Sequence, residues 1–159
     1  MSGGTLHAFV AAAEPAHGRT ATGVVFVDHA GRALRKVGRA LPGVADRGLA
    51  AFHGIVYALW NSRRLGSRRV VVHSAEHEVV AQINGESEVP EQYVGPYLEV
   101  RALLHAYRSA HVEPCRPGVG ELLWQSEAQA LADAAVDHDI DETVEDLPLW
   151  ARPEARSTA

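Results

Sequence analysis

Three extended segments fill the first 41 residues, and helical and extended patterns alternate after them. That order restricts the chain to a mixed sheet with helices packed on its faces. Leu6 to Val10 is a short apolar run. Thr22 to Val27 is β-branched and closes on the turn signal Asp28-His29-Ala30-Gly31, and Arg32 to Leu41 follows as a third extended piece. Asp46 can cap a helix whose apolar positions Leu49, Phe52, Ile55, Val56 and Leu59 recur at helical spacing, with Leu65-Gly66 as its stop. Arg69 to His73 reads as a buried strand. Glu76 to Asn84 is a short helix, and Tyr93, Tyr97, Val100, Leu104 and Tyr107 mark a longer one after Pro90. His111 to Arg116 is a strand, and Leu122 to Val136 a last helix. The predicted order is β-β-β-α-β-α-α-β-α, an α/β fold built on a five-stranded mixed sheet with helices on both faces.

At 159 residues, 47% of them hydrophobic, the chain holds one domain with a sizeable core. Residues 1–137 are read as that domain and 138–159 as an acidic C-terminal tail. From Glu121 to Asp146 there is no Lys or Arg, whereas Arg32, Arg35, Lys36, Arg39, Arg47, Arg63, Arg64, Arg68 and Arg69 crowd the first half, so the two halves carry opposite fields. A net charge of −5 excludes a generally basic nucleic-acid coat. The single cysteine, Cys115, offers neither a disulfide nor a structural zinc cluster and fits a reducing, cytoplasmic setting. No stretch approaches the roughly 20 apolar residues of a membrane helix, and no leader pattern opens the chain, so neither membrane nor export is expected.

The element order, together with Asp28-His29-Ala30-Gly31, Leu59 to Gly66, Val79-Val80-Ala81-Gln82-Ile83-Asn84-Gly85 and Ala128-Gln129-Ala130-Leu131-Ala132, resembles the type-one ribonuclease H family over Leu6 to Val136. The resemblance implies the ribonuclease H-like fold and, in active members, cleavage of the RNA strand of an RNA·DNA hybrid by two divalent cations held among four carboxylates. Counted along this chain, the four positions fall on Ala11, Ala51, Ala75 and Gln129, none of which can neutralise a dication. The resemblance therefore implies a pseudoenzyme with no catalytic residues and no cofactor, a divalent cation entering only at a rebuilt site. If the four positions converge, A11D, A51E, A75D and Q129D together would restore ion affinity.

Candidates for a rebuilt site are His73, Glu76, His77 and Asp133. His73-Ser74-Ala75-Glu76-His77 has the His-x-x-Glu-His spacing of inverted zincins, which requires one helical face, and here it straddles a strand end. Asp133 lies one helical turn from Gln129. Asp137 to Asp141 opens like a calcium loop but lacks the Gly and Glu that such a loop needs at its sixth and twelfth positions. Basic candidates for binding are Arg35, Lys36 and Arg39 on the third strand, where edge charges also oppose aggregation, and Arg63, Arg64, Arg68 and Arg69 around the end of the first helix. Three functional readings follow. The first is a binding or assembly module that takes a protein partner or a second copy of itself, favoured by the net charge. The second is a weak RNA or RNA·DNA hybrid binder using the basic first half. The third is a nuclease with a metal site rebuilt from His73, Glu76, His77 or Asp133. Asp139 to Asp146 with the apolar anchor around Trp150 is expected to dock on that basic surface and mask it.

Overall fold

The computed structural model describes residues 4–115, 119–138 and 140–147. The chain forms β1 (Leu6–Ala12), β2 (Arg19–Val27), β3 (Ala33–Pro42), α1 (Arg47–Arg64), β4 (Arg69–Ser74), α2 (His77–Ile83), α3 (Val94–His105), β5 (Ser109–Pro114), α4 (Val119–Asp137) and β6 (Glu142–Asp146). The sheet runs β5-β4-β1-β2-β3-β6 and is six-stranded, not five-stranded. Strands β1 to β3 are an antiparallel meander, while β4 and β5 continue from β1 in parallel. The expected order is reproduced in full, with β6 added. The acidic segment expected to be a tail supplies that strand, pairing with β3 from Arg35↔Asp146 to Arg39↔Glu142. Consequently β3 is an interior strand rather than an edge. Trp150 lies outside the described residues.

Local chemistry sets the turns. His17 and Gly18 both take positive φ (56° and 74°), the pair a two-residue type I′ hairpin requires, and mutual hydrogen bonds between Ala16 and Arg19 close it. Asp28 Oδ1 accepts from the amides of Ala30 and Arg32, and Gly31 at φ 84° completes the second hairpin. Asp46 caps α1 by accepting from the amides of Gly48 (2.8 Å) and Leu49 (3.2 Å), and its carboxylate also accepts from the Tyr93 hydroxyl. Burial, and then that bond, push Tyr93 up to about 12.

Side chains alternate along β1 and divide the core in two. Leu6, Ala8, Val10 and Ala12 pack under α1, α2 and α3. Phe9 and Ala11 face the other way, with Val25, Val27 and Ala128 beneath α4. Gly23 lets α4 lie directly on β2, because a Cβ there would strike the α4 backbone.

Candidate functional site

The four counted positions differ in their surroundings. Ala11 is 2% exposed in the cluster beneath α4, and Ala51 is 1% exposed in the cluster beneath α1, across the sheet. Ala75 is exposed in the turn after β4. Gln129 is half-buried on α4, where its Nε2 donates to the Ala12 carbonyl (2.9 Å) and to Asp133 Oδ1 (3.0 Å). As counted, Ala11 and Ala51 thus lie in different packed clusters on the two faces of the sheet. Counting along a strand finds a position, but its parity decides the face, and residue 11 is odd on a strand whose even residues meet α1.

Ion pairs and amides occupy the C-terminal ends of β1 and β4 instead. Arg47, the first residue of α1, hydrogen-bonds Glu14 through its guanidinium, and its Nε lies 3.1 Å from Glu76 Oε2. A guanidinium thus sits between two carboxylates at the strand ends. Gln125 Nε2 donates to the Val10 carbonyl at 2.7 Å and fastens α4 to β1 beside them. Sequence reasoning passed over Arg47 and Glu14 as partners. The spacing from hairpin to helix cap carried no signal for a pairing decided by how the first hairpin folds against α1.

The rebuilt-site candidates are scattered. His73 is 4% exposed in β4, stacked on Phe9 with ring centres 4.5 Å apart, and its Nε2 lies 2.9 Å from Nδ1 of His7. Burial lowers both histidines, and the charge of His7 lowers His73 further. The two rings pack together and share one hydrogen bond, in surroundings whose burial disfavours the charged form of each. Glu76 is held by Arg47, His77 is exposed at the start of α2, and Asp133 is bonded to Gln129. A strand residue and the first residue of the next helix cannot present the zincin pair on one helical face. Among the described residues no group of three His, Cys, Asp or Glu side chains could hold a metal ion.

The basic candidates separate into two sets. On β3, Arg35 and Arg39 face α1, where Arg39 lies over the Tyr57 ring at 4.4 Å, while Lys36 faces α4 and Trp124. All three are neutralised: Arg35 by Asp146 (2.5 Å), Arg39 by Glu142 (3.4 Å) and Lys36 by Glu127. Strand β6 therefore sets Asp146 and Glu142 against Arg35 and Arg39 by strand pairing within the chain. Removing residues 139–159 is expected to leave the domain folded, because β6 is exposed throughout and exposed ion pairs contribute about 0–1 kcal/mol each. It should also raise the salt concentration at which heparin releases the protein. Unchanged retention in a salt gradient would show that Arg35 and Arg39 are not what β6 hides.

Arg63, Arg64, Arg68 and Arg69 form the second set, at the opposite end of β4 from the strand ends just described. All four are exposed, and none is in an ion pair with a described residue. Arg108 joins them. Sequence reasoning missed it, although the usable signal was an Arg standing immediately before each of two adjacent parallel strands.

Comparison with known proteins bears on the fold. A family model described as reverse transcriptase-like matches residues 9–118, more than half of the chain. Among solved structures, RNase H1 from the halophilic archaeon Halobacterium salinarum NRC-1 superposes with a TM-score of 0.74 at 20% identity, over 85% of this chain and 99% of that one. The N-terminal RNase H domain of a Mycobacterium tuberculosis protein gives 0.69 at 19% identity, over 98% and 99%. LC11-RNase H1, solved in complex with an RNA/DNA hybrid, gives 0.71 at 16% identity, over 85% and 99%. No curated protein sequence matches.

Proposed function

Because the chain belongs to the reverse transcriptase-like family and carries the ribonuclease H-like fold, we propose that it is a non-hydrolytic member, a module that binds rather than cleaves. The observation that carries this reading is the chemistry at the four counted positions: two alanines in separate packed cores, one exposed alanine, and an amide that donates its hydrogens to Ala12 and Asp133. A divalent cation in this fold needs converging anionic oxygens. These residues do not fit one. Beside the strand ends, Glu14 and Glu76 are already neutralised by Arg47.

Charge at first favours a protein partner or a second copy over nucleic acid. The placement of that charge supports the other arm, since Glu127, Glu142 and Asp146 are engaged with β3 and the exposed arginines around the start of β4 are in no ion pair with a described residue. Nucleic-acid binding without hydrolysis is therefore the preferred form of the proposal. Purified protein incubated with an RNA·DNA hybrid and magnesium or manganese is expected to release no more product than a mock purification. Chelator-sensitive turnover that tracks the protein through purification would overturn the non-hydrolytic reading.

A further inference from the structure

An open cleft of 540 Å³ lies where the end of α1, the turn into β4 and the turn into β5 meet, and its lining includes Arg63, Ser67, Arg68, Tyr107 and Arg108 but no acidic side chain. The fold itself brings these arginines together. Strands β4 and β5 are parallel and begin in register, Arg69 opposite Ser109, so the residues just ahead of them are neighbours. The amides of Arg108 (3.0 Å) and Ser109 (3.3 Å) both donate to the Arg68 carbonyl and pin that turn. Gly66, at φ 87°, turns the chain out of α1 so that the last helical turn, with Arg63, borders the same space. The Tyr107 hydroxyl donates to the Leu59 carbonyl beneath it. Arg64 and Arg69, both exposed, are the next residues in the chain after Arg63 and Arg68.

Cations at a helix C-terminus offset the helix dipole, which accounts for Arg63 and Arg64. It does not account for Arg68 and Arg108, which belong to turns on the far side of the cleft. Several guanidinium groups held around one polar cleft repel one another unless an anion lies among them. Their planar forks match phosphate oxygens in pairs. At 540 Å³, with three guanidinium groups in its lining, the open cleft has room for more than one phosphate group. We infer that this cleft binds the phosphodiester backbone of a nucleic-acid strand. The surface stands about 17 Å from the C-terminal end of β4, at about 3.3 Å per strand residue, so it is separate from the strand ends where Arg47 pairs with Glu14 and Glu76. The inference deepens the binding arm of the proposed function but does not depend on the absence of hydrolysis.

The test is fluorescence anisotropy of a labelled single-stranded RNA with the full chain, its R63A/R68A/R108A variant, the matching triple Lys variant, and R101A as an arginine outside the cleft. The Ala variant is expected to bind roughly tenfold or more weakly, and its salt dependence to flatten by about 2 log units per log unit, the share of three phosphate contacts on a single strand. The Lys variant should fall between, because it keeps the charge and loses the forks. R101A should match the unaltered chain. The substituted side chains are exposed, so coincident thermal melts are expected to confirm folding. Absence of RNA binding by the unaltered chain, or equal binding by the Ala variant, overturns the inference. Displacement of the RNA by pyrophosphate at equal concentrations of phosphate groups would overturn the strand-backbone form and assign the cleft to a small phosphate ligand. Loss of this site would leave the non-hydrolytic reading standing, while hybrid cleavage by the unaltered chain would overturn that reading and leave the cleft.

Discussion

The variant A11D/A51E/A75D/Q129D, which writes carboxylates back at the counted positions, is expected to be unfolded and to take up no metal. Ala11 and Ala51 are 2% and 1% exposed in cores on opposite sides of β1, so two of the new carboxylates would be buried apart from each other and from any cation. An unpaired buried charge costs several kcal/mol even after relaxation, and a domain's whole stability is about 5–15 kcal/mol. The single variants sort the effect. A75D, in an exposed turn, should change stability by less than about 0.5 kcal/mol. Q129D removes the bond to the Ala12 carbonyl and sets a second carboxylate one turn from Asp133, at a cost of about 1–2 kcal/mol. A11D and A51E should each cost about 3 kcal/mol or more. Denaturant melts of the singles and calorimetry of the quadruple variant with magnesium check this. A folded quadruple variant that binds the ion would mean that residues 11 and 51 reach a common space after all.

Gly23→Ala is expected to be among the most damaging single methyl additions in the protein, lowering stability by about 3 kcal/mol or more. A Cβ on Gly23 would run into the Ala128 carbonyl and lie 2.9 Å from the Ala132 amide nitrogen. Both are backbone atoms of α4, so no side chain can turn aside. The helix would have to lift from β2, opening the contacts of Ala128 and Ala132, each 0% exposed. Gly95→Ala is the control with the opposite sign. That residue lies in α3 with open space where its Cβ would stand, and Ala in place of Gly in a helix gains about 1 kcal/mol. Denaturant midpoints moving in opposite directions would confirm the contrast. An unchanged midpoint for Gly23→Ala would show that α4 does not rest on the β2 backbone.

Most of the framework was legible along the chain because its causes are local. Asp46 caps α1 through amides two and three residues away, Gly66 ends that helix by adopting a positive φ, and Asp28 builds its turn from its own neighbours. Periodicities of 3.6 and 2 residues depend only on short stretches, so the succession of strands and helices could be read without knowing what packs on what. The same local signals could not assign the acidic segment. Glu142 to Asp146 alternates too little apolar character to mark a strand, and it becomes one because Arg35 and Arg39, more than 100 residues earlier, stand opposite its carboxylates on the edge of β3 that β2 leaves open.

The site shows the division most clearly. Residue types at positions 11, 51, 75 and 129 are a property of the sequence, and they bear on metal chemistry before any fold is known. Whether those positions face one another is not such a property, because each step along a strand reverses the side chain's direction and only the packing of α1 on one face and α4 on the other gives those directions a meaning. Likewise the arginines are visible as a charge cluster, but Arg63, Arg68 and Arg108 become one surface only through the parallel register of β4 and β5. Sequence alone thus determined the local conformations and the chemistry each position can offer. The tertiary structure decided which offers meet, because convergence depends on contacts between residues far apart in the chain, and no local pattern records them.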